Sequence, residues 1–168
     1  PFLEETNDLL DVWLFAHCSL CISTGTGLDY GSDIYRKPIL FINFLPLIEF
    51  ISWSNSMVVP KKLLWADSSK ELSLRENIKN PWKLTDQYLD HNIKIQDLNK
   101  DEILTSIKEC WNDLENGLNY TKSDLTLQRR YWKILKSESI FNKFHGWIHP
   151  NARAGRNWLR SKREEFFS

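Results

Sequence analysis

The 168-residue sequence predicts an α/β domain, a parallel sheet flanked by helices with a helical C-terminal tail. Three observations carry that expectation. Two short apolar runs, Leu20-Cys21-Ile22 and Ile39-Leu40-Phe41-Ile42, read as strands buried on both faces. A helical stretch from Leu28 to Arg36 lies between them and is stopped by Pro38, so the three form a strand–helix–strand unit with parallel strands. The first strand runs into a turn rich in glycine and hydroxyls, Ser23-Thr24-Gly25-Thr26-Gly27.

The remaining elements follow in order. Thr6 or Asn7 caps a first helix whose apolar stripe is Leu9, Val12, Trp13 and Ala16. Asn43–Ser56 is a long connection containing Pro46, and Met57–Pro60 a third strand followed by Lys61 and Lys62. Ser73 and Glu76 have capping-box spacing, Asn80-Pro81-Trp82 is a turn, and Ile93–Leu98 alternates like an edge strand. Asn99, with Glu102 three positions on, caps a helix through Leu118 that puts Ile103, Ile107, Cys110, Trp111 and Leu114 on one face. Further helices are expected over Ser123–Leu135 and from about Asn151 to Phe166. No repeat or linker divides the chain, so residues 1–168 read as one domain. Pro1 stands where an initiator Met would, which predicts a fragment of a longer chain.

Composition narrows the function. Lys+Arg and Asp+Glu are both 22, so no global basic field draws nucleic acid. The basic residues of the last third (Arg129, Arg130, Arg153, Arg156, Arg160, Lys162, Arg163) are interrupted by Glu164 and Glu165 and read as a solvated helix face. The longest apolar run, Pro38–Phe50, contains Asn43 and Pro46 and is too short to span a bilayer. Cys18 and Cys21 form a CxxC with no second ligand pair, so the three cysteines read as core thiols of a reducing cytoplasm and no metal is expected.

The chemistry sits in Ser23–Gly27. At the carboxyl end of a buried strand, glycines allow close backbone approach, helix-start amides are unpaired donors, and the hydroxyls of Ser23, Thr24 and Thr26 add more. The stretch is neither a Walker A loop nor GxGxxG. Two readings fit: a diphosphate site, or a turn that uses Gly and Thr for geometry alone.

The segment Trp13-Leu-Phe-Ala-His-Cys-Ser-Leu-Cys-Ile-Ser-Thr-Gly-Thr-Gly-Leu-Asp29, with Tyr35-Arg-Lys-Pro-Ile-Leu-Phe-Ile-Asn43, resembles the donor-binding half of GT-B glycosyltransferases. The likeness is to a family from bacterial surface-polysaccharide loci, and in layout to non-hydrolysing sugar-nucleotide 2-epimerases. Val59-Pro-Lys-Lys-Leu63, Glu71–Glu76, Asp101-Glu102-Ile103 and Ala154-Gly155-Arg156 extend it over nearly the whole chain. The resemblance implies one Rossmann-like half of a GT-B fold with the donor diphosphate at Thr24, Gly25, Thr26 and Gly27, Ser23 beside it, and Asp29, Asn43 and Pro46 on the rim. It implies a nucleoside-diphosphate sugar as substrate, no cofactor or metal, and a glycan or lipid-linked acceptor. The catalytic base would come from a missing N-terminal domain of the same chain, in a cytoplasmic protein with peripheral attachment at the inner membrane face as an option. One position departs from the pattern: Gly31 stands where GT-B donor domains carry a ribose-binding Glu, with Asp29 or Asp33 as substitutes.

Other residues read blandly. Lys61 and Lys62 suit a solvated strand end, with phosphate neutralisation as the second reading. Glu49 lies where the epimerases place an acid, His17 complements a helix end, and no sequence spacing pairs His145 or His149 with a carboxylate. Trp111 and Trp132 are expected in the core, and Asp97 at a strand end. The rival functions are a 2-epimerase-like enzyme and a non-catalytic Rossmann-like interaction domain.

Overall fold

The computed structural model describes residues 8–50, 52–144 and 148–168. The expected cap at Thr6 or Asn7, and His145 with Gly146-Trp147, lie outside the described residues. Four strands form one parallel sheet: β1 (Cys21–Ser23), β2 (Ile39–Phe44), β3 (Ser56–Pro60) and β6 (Arg153–Ala154), in the order β1-β2-β3-β6. Cys21 pairs with Ile39, Ile39 with Ser56, and Met57 with Arg153. β4 (Lys62–Trp65) and β5 (Ile93–Gln96) form a separate antiparallel pair. The edge-like alternation of Ile93–Leu98 therefore belongs to a two-stranded ribbon, with Ile93 buried beneath it.

The apolar runs become central strands for the reason the sequence suggests. Ile39, Leu40, Met57 and Val58 are fully buried, as strands covered on both faces must be. Helices α1 (Asp8–His17) and α2 (Asp29–Ile34) precede and follow β1. α3 (Leu74–Lys79) begins at the Ser73 capping box, where Ser73 Oγ accepts from the Glu76 amide and Glu76 returns a bond to the Ser73 amide. α4 (Thr85–Asp90) follows the Pro81 turn, and α5 (Lys100–Asn116) is capped by Asn99 and ends before Gly117 at φ +78°.

The C-terminal part is more than a helical tail. α6 (Lys122–Ser137) and α7 (Ser139–Phe144) lead into β6, which completes the sheet, and only five residues, α8 (Arg156–Arg160), follow as α-helix before a 3-10 turn at Glu164–Phe167. The expected single helix from Asn151 to Phe166 fails because backbone groups at 153–154 are taken by β3 and by Gln128. That side chain donates to Ala154 O at 2.6 Å and accepts from Ala154 N at 3.3 Å. Glu109 accepts from the amides of Arg156 and Asn157 at 2.5 and 2.9 Å and so caps α8 from another helix. Burial raises the Glu109 carboxyl above the usual range despite those two bonds.

The core joins both faces of the sheet: Phe41, Phe44 and Phe50 meet edge to face, with Tyr131, Leu135, Trp158 and Phe166 continuing it. Two aromatic expectations are corrected. Trp111, read as core, is 44% exposed, and Trp13, on the expected α1 stripe, is 54% exposed. Among the cysteines, Cys110 is buried, whereas Cys18 and Cys21 are half-buried.

Candidate functional site

β1, β2 and β3 are parallel, so their carboxyl ends open on one rim of the sheet. A cleft of about 310 Å³ lies there, and its lining includes Thr24 after β1, Asn43 near the end of β2 and Lys61 directly after β3. The far wall comes from the α4 region and β5: Trp82, Lys83, Thr85, Tyr88, Ile95 and Asp97. Ligands of open α/β sheets bind beyond the carboxyl ends of the strands. Thr24 and Asn43, both singled out from sequence, thus share one concavity.

Each wall residue is fixed for an identifiable reason. Asn43 sits at φ +52°, where the β2–β3 register shifts, and its Oδ1 accepts from Leu98 N at 2.8 Å. Asn tolerates this left-handed backbone better than most residues, and the bond ties the β2 rim to the end of β5. Tyr88 is buried beneath the cleft and its hydroxyl donates to Trp82 O at 2.8 Å. Burial, with Glu49 nearby, pushes its phenol well above the ordinary range. Trp82 is held edge-on by Tyr88 and stacks on His91 at 4.1 Å.

The cations of the cleft have carboxylate partners. Lys61 Nζ lies 2.8 Å from Asp97 and Lys83 Nζ 2.7 Å from Glu49. The bond from Glu49 raises the Lys83 pKa. Each pair has one exposed member, Asp97 at 64% and Lys83 at 70%, and one half-buried member, Lys61 or Glu49. Solvent screens such pairs, so an arriving anion can exchange with either carboxylate. The neighbouring Lys62 instead pairs with Glu102 at 2.5 Å, on the α5 side. The strand-end reading of Lys61 and Asp97 is therefore completed by an ion pair facing a cavity.

The glycine loop behaves differently from a bare anion cradle. Asp29, 7% exposed, accepts from Gly27 N at 3.0 Å and from Ser23 Oγ at 3.1 Å, while Ser23 Oγ accepts from Gly25 N at 3.0 Å. The chain's own carboxylate thus occupies the amide at the start of α2. A phosphate there would meet Asp29 at close range, a repulsion of about 4 kcal/mol at 4 Å for an effective dielectric near 20. Asp29 is thus already engaged within its own loop. Asp33, the other substitute, is also engaged: both its oxygens accept from Trp53 N, at 3.0 and 3.1 Å, which pins the β2–β3 connection.

Gly25 and Asp29 line a second hollow of only about 60 Å³ with Asp33 and Glu49, too small and too acidic for a nucleotide. Gly25 has φ +81° and a Cβ there would stand 2.6 Å from Phe44 Cε2, so its glycine requirement is geometric. Thr26 is exposed, and Pro46 is buried after a cis Leu45–Pro46 bond at the start of a 3-10 turn, Leu47–Glu49. Its neighbour Leu45, and not Pro46, is among the residues lining the cleft.

Sequence reasoning missed Trp82, Lys83, Thr85 and Tyr88. A turn at Asn80-Pro81-Trp82 was legible, but not that it packs with Tyr88 on the β4–β5 pair and faces Thr24 and Asn43 across the cleft. Of the remaining candidates, His17 Nδ1 lies 2.8 Å from Trp13 O at the end of α1, and His149 Nδ1 accepts from Asn151 N at 3.1 Å in a turn. Among the described residues no three His, Cys, Asp or Glu side chains converge as a metal site requires, and no helix is long and apolar enough to cross a membrane. Compared with known proteins, the chain matches no family model, no curated sequence and no solved structure.

Proposed function

We propose that this chain is the sugar-nucleotide-binding part of a GT-B-type glycosyltransferase, holding a nucleoside-diphosphate sugar for transfer to a glycan or lipid-linked acceptor. The observation that carries this reading is the cleft at the carboxyl ends of β1, β2 and β3, where Lys61 and Lys83 lie with the hydroxyls of Thr24 and Thr85. Two cations and two hydroxyls suit a diphosphate, and the ring of Trp82 offers an apolar surface for a base or sugar. The diphosphate lies against Lys61, Lys83 and Thr24, displaced from the Gly27 amide that Asp29 already fills.

The chemistry follows from where charge develops. As the bond between sugar and diphosphate breaks, negative charge grows on the leaving oxygens, and fixed cations and hydroxyls stabilise it most in that state. The diphosphate displaces Asp97 and Glu49 from the two lysines, so binding exchanges one weak ion pair for a stronger, charge-assisted contact at each lysine. The acceptor and the catalytic base belong to a second half, N-terminal in the same chain, across the cleft.

Isothermal titration with UDP, GDP and CMP tests the reading. One nucleoside diphosphate is expected to bind, CMP more weakly, and Lys61→Ala or Lys83→Ala to weaken binding by about tenfold or more, the worth of one charge-assisted hydrogen bond. Absence of binding, or affinity unmoved in both variants, would reject the site. Formation of an epimer from a nucleotide sugar without acceptor would favour the epimerase reading.

A further inference from the structure

A hollow of about 420 Å³ lies between α6 and residues 148–152, and its lining includes Arg129, Lys133, Lys136 and His149 with Trp132 and Ile148. Positions 129, 132, 133 and 136 fall on one side of the helix, turned away from the buried Tyr131, Ile134 and Leu135. Ile148 bridges to Ser52 ahead of β3, and Ala152 directly precedes β6. The hollow therefore opens at the amino ends of these strands, on the rim of the sheet opposite the cleft.

Its cations lack what the lysines of the cleft have. Among the described residues no carboxylate lines the hollow, and Arg129 and Lys133 make no ion pair or hydrogen bond. The acids nearby are taken: Asp124 by Arg160, and Glu164 by Arg130. Arg129 and Lys133 stand one helical turn apart, a spacing at which like charges repel. A dianion between them relieves that repulsion and gains charge-assisted hydrogen bonds. His149 Nδ1 accepts from Asn151 N, so the neutral ring carries its proton on Nε2 as a further donor.

A solvated helix face would spread such charges over a convex surface, whereas here they rim a concavity with an apolar floor. Trp132 is half-buried, with Lys136 Nζ 5.6 Å from its ring centroid, and Ile148 and Ala152 lie beside it. A bare ion would leave that floor unused, and the volume falls among small-molecule sites, about 300–1,000 Å³. We propose that this groove binds a small organic phosphate, its oxygens held by Arg129, Lys133 and Lys136 and its apolar body laid on Trp132 and Ile148. Two negative charges suit three cations better than the single charge of a carboxylate. The groove shares no residue with the cleft, so the proposal is independent of the nucleotide reading.

Isothermal titration at low salt with 1-naphthyl phosphate as probe tests it. Binding is expected with a Kd below about 1 mM. Inorganic phosphate, 1-naphthol and 1-naphthoate should each bind at least about tenfold more weakly, lacking the body, the charge or the second charge. Arg129→Ala and Lys133→Ala should each weaken the probe by about tenfold or more. Lys122→Ala, at the start of the same helix and away from the groove, should leave its affinity unchanged. All three positions are exposed, so far-UV circular dichroism is expected to stay as in wild type. No binding at about 1 mM, or equal affinity for any of the three comparison compounds, would overturn the proposal. So would affinity unmoved in R129A and K133A, or weakened equally in K122A.

Discussion

Helices α1 and α6 invert what their sequences suggest. α1 is mostly apolar yet buries no residue, whereas α6 carries Lys122, Arg129, Arg130, Lys133 and Lys136 and still buries Tyr131, Ile134 and Leu135 with Asp124 and Gln128. Periodicity explains the second case: the buried positions recur every three or four residues, and the polar members find partners. Asp124 accepts from Arg160 at 2.7 Å through both oxygens and from Thr121, and Gln128 holds β6. α1 has apolar residues all round and, among the described residues, packs chiefly on α2. Burial follows what surrounds an element, and hydrophobicity alone does not provide a surrounding.

The largest expected effect sharpens that contrast. Tyr131→Ala on α6 removes a fully buried ring and should cost about 3–5 kcal/mol in urea denaturation. Trp13→Ala on α1, an exposed ring, should change stability by less than about 0.5 kcal/mol. Similar losses in the two variants would break the comparison.

Next in size is the Asp124–Arg160 pair. Asp124→Asn keeps the shape but loses a doubly bonded carboxylate, an expected cost of about 2–3 kcal/mol at pH 7. Arg160 holds the Asp124 carboxyl far below the usual carboxylate range. A depressed folded pKa gives stability that is present above the unfolded value, near 3.9, and is lost as pH falls through the folded one. Wild type should therefore lose more stability than D124N when pH is lowered from about 5 toward 2, and parallel curves would deny the pair its role.

The glycine loop supplies a graded test. Gly25→Ala meets both a left-handed backbone and the Phe44 ring and should cost about 2–3 kcal/mol, while Gly27→Ala, at φ +96° with open space, should cost about 1 kcal/mol. Equal costs would mean that Phe44 moves aside freely. Smallest is Tyr131→Phe: its buried hydroxyl has no partner among the described residues, so removal should be neutral or stabilising by up to about 1 kcal/mol in the same denaturation assay.

These contrasts also mark how much was legible beforehand. The strands at Cys21 and Ile39, the parallel pairing, and the caps at Ser73 and Asn99 were readable because each rests on local chemistry: apolar runs, Pro38, and Ser or Asn three residues before Glu. β6 and the broken C-terminal helix were not, since Ala154 is placed by Gln128, 26 residues away. Thr24 and Asn43, expected from their strand ends, line the same cleft. Asp29, expected on the rim, bonds Ser23 and Gly27 because its spacing suits an internal cap as well as a ligand contact. Lys83 and Trp82 depend on a fold-back that no local signal announces.

The central claim is that the anion site lies in the cleft and not on the glycine turn. Crystals soaked with the tightest-binding nucleoside diphosphate test it most directly. Diphosphate density is expected against Lys61, Lys83 and Thr24, with the Asp29 carboxylate still bonded to Gly27 N. Density on the Gly27 amide with Asp29 swung away, or an empty cleft beside a bound nucleotide elsewhere, would contradict it.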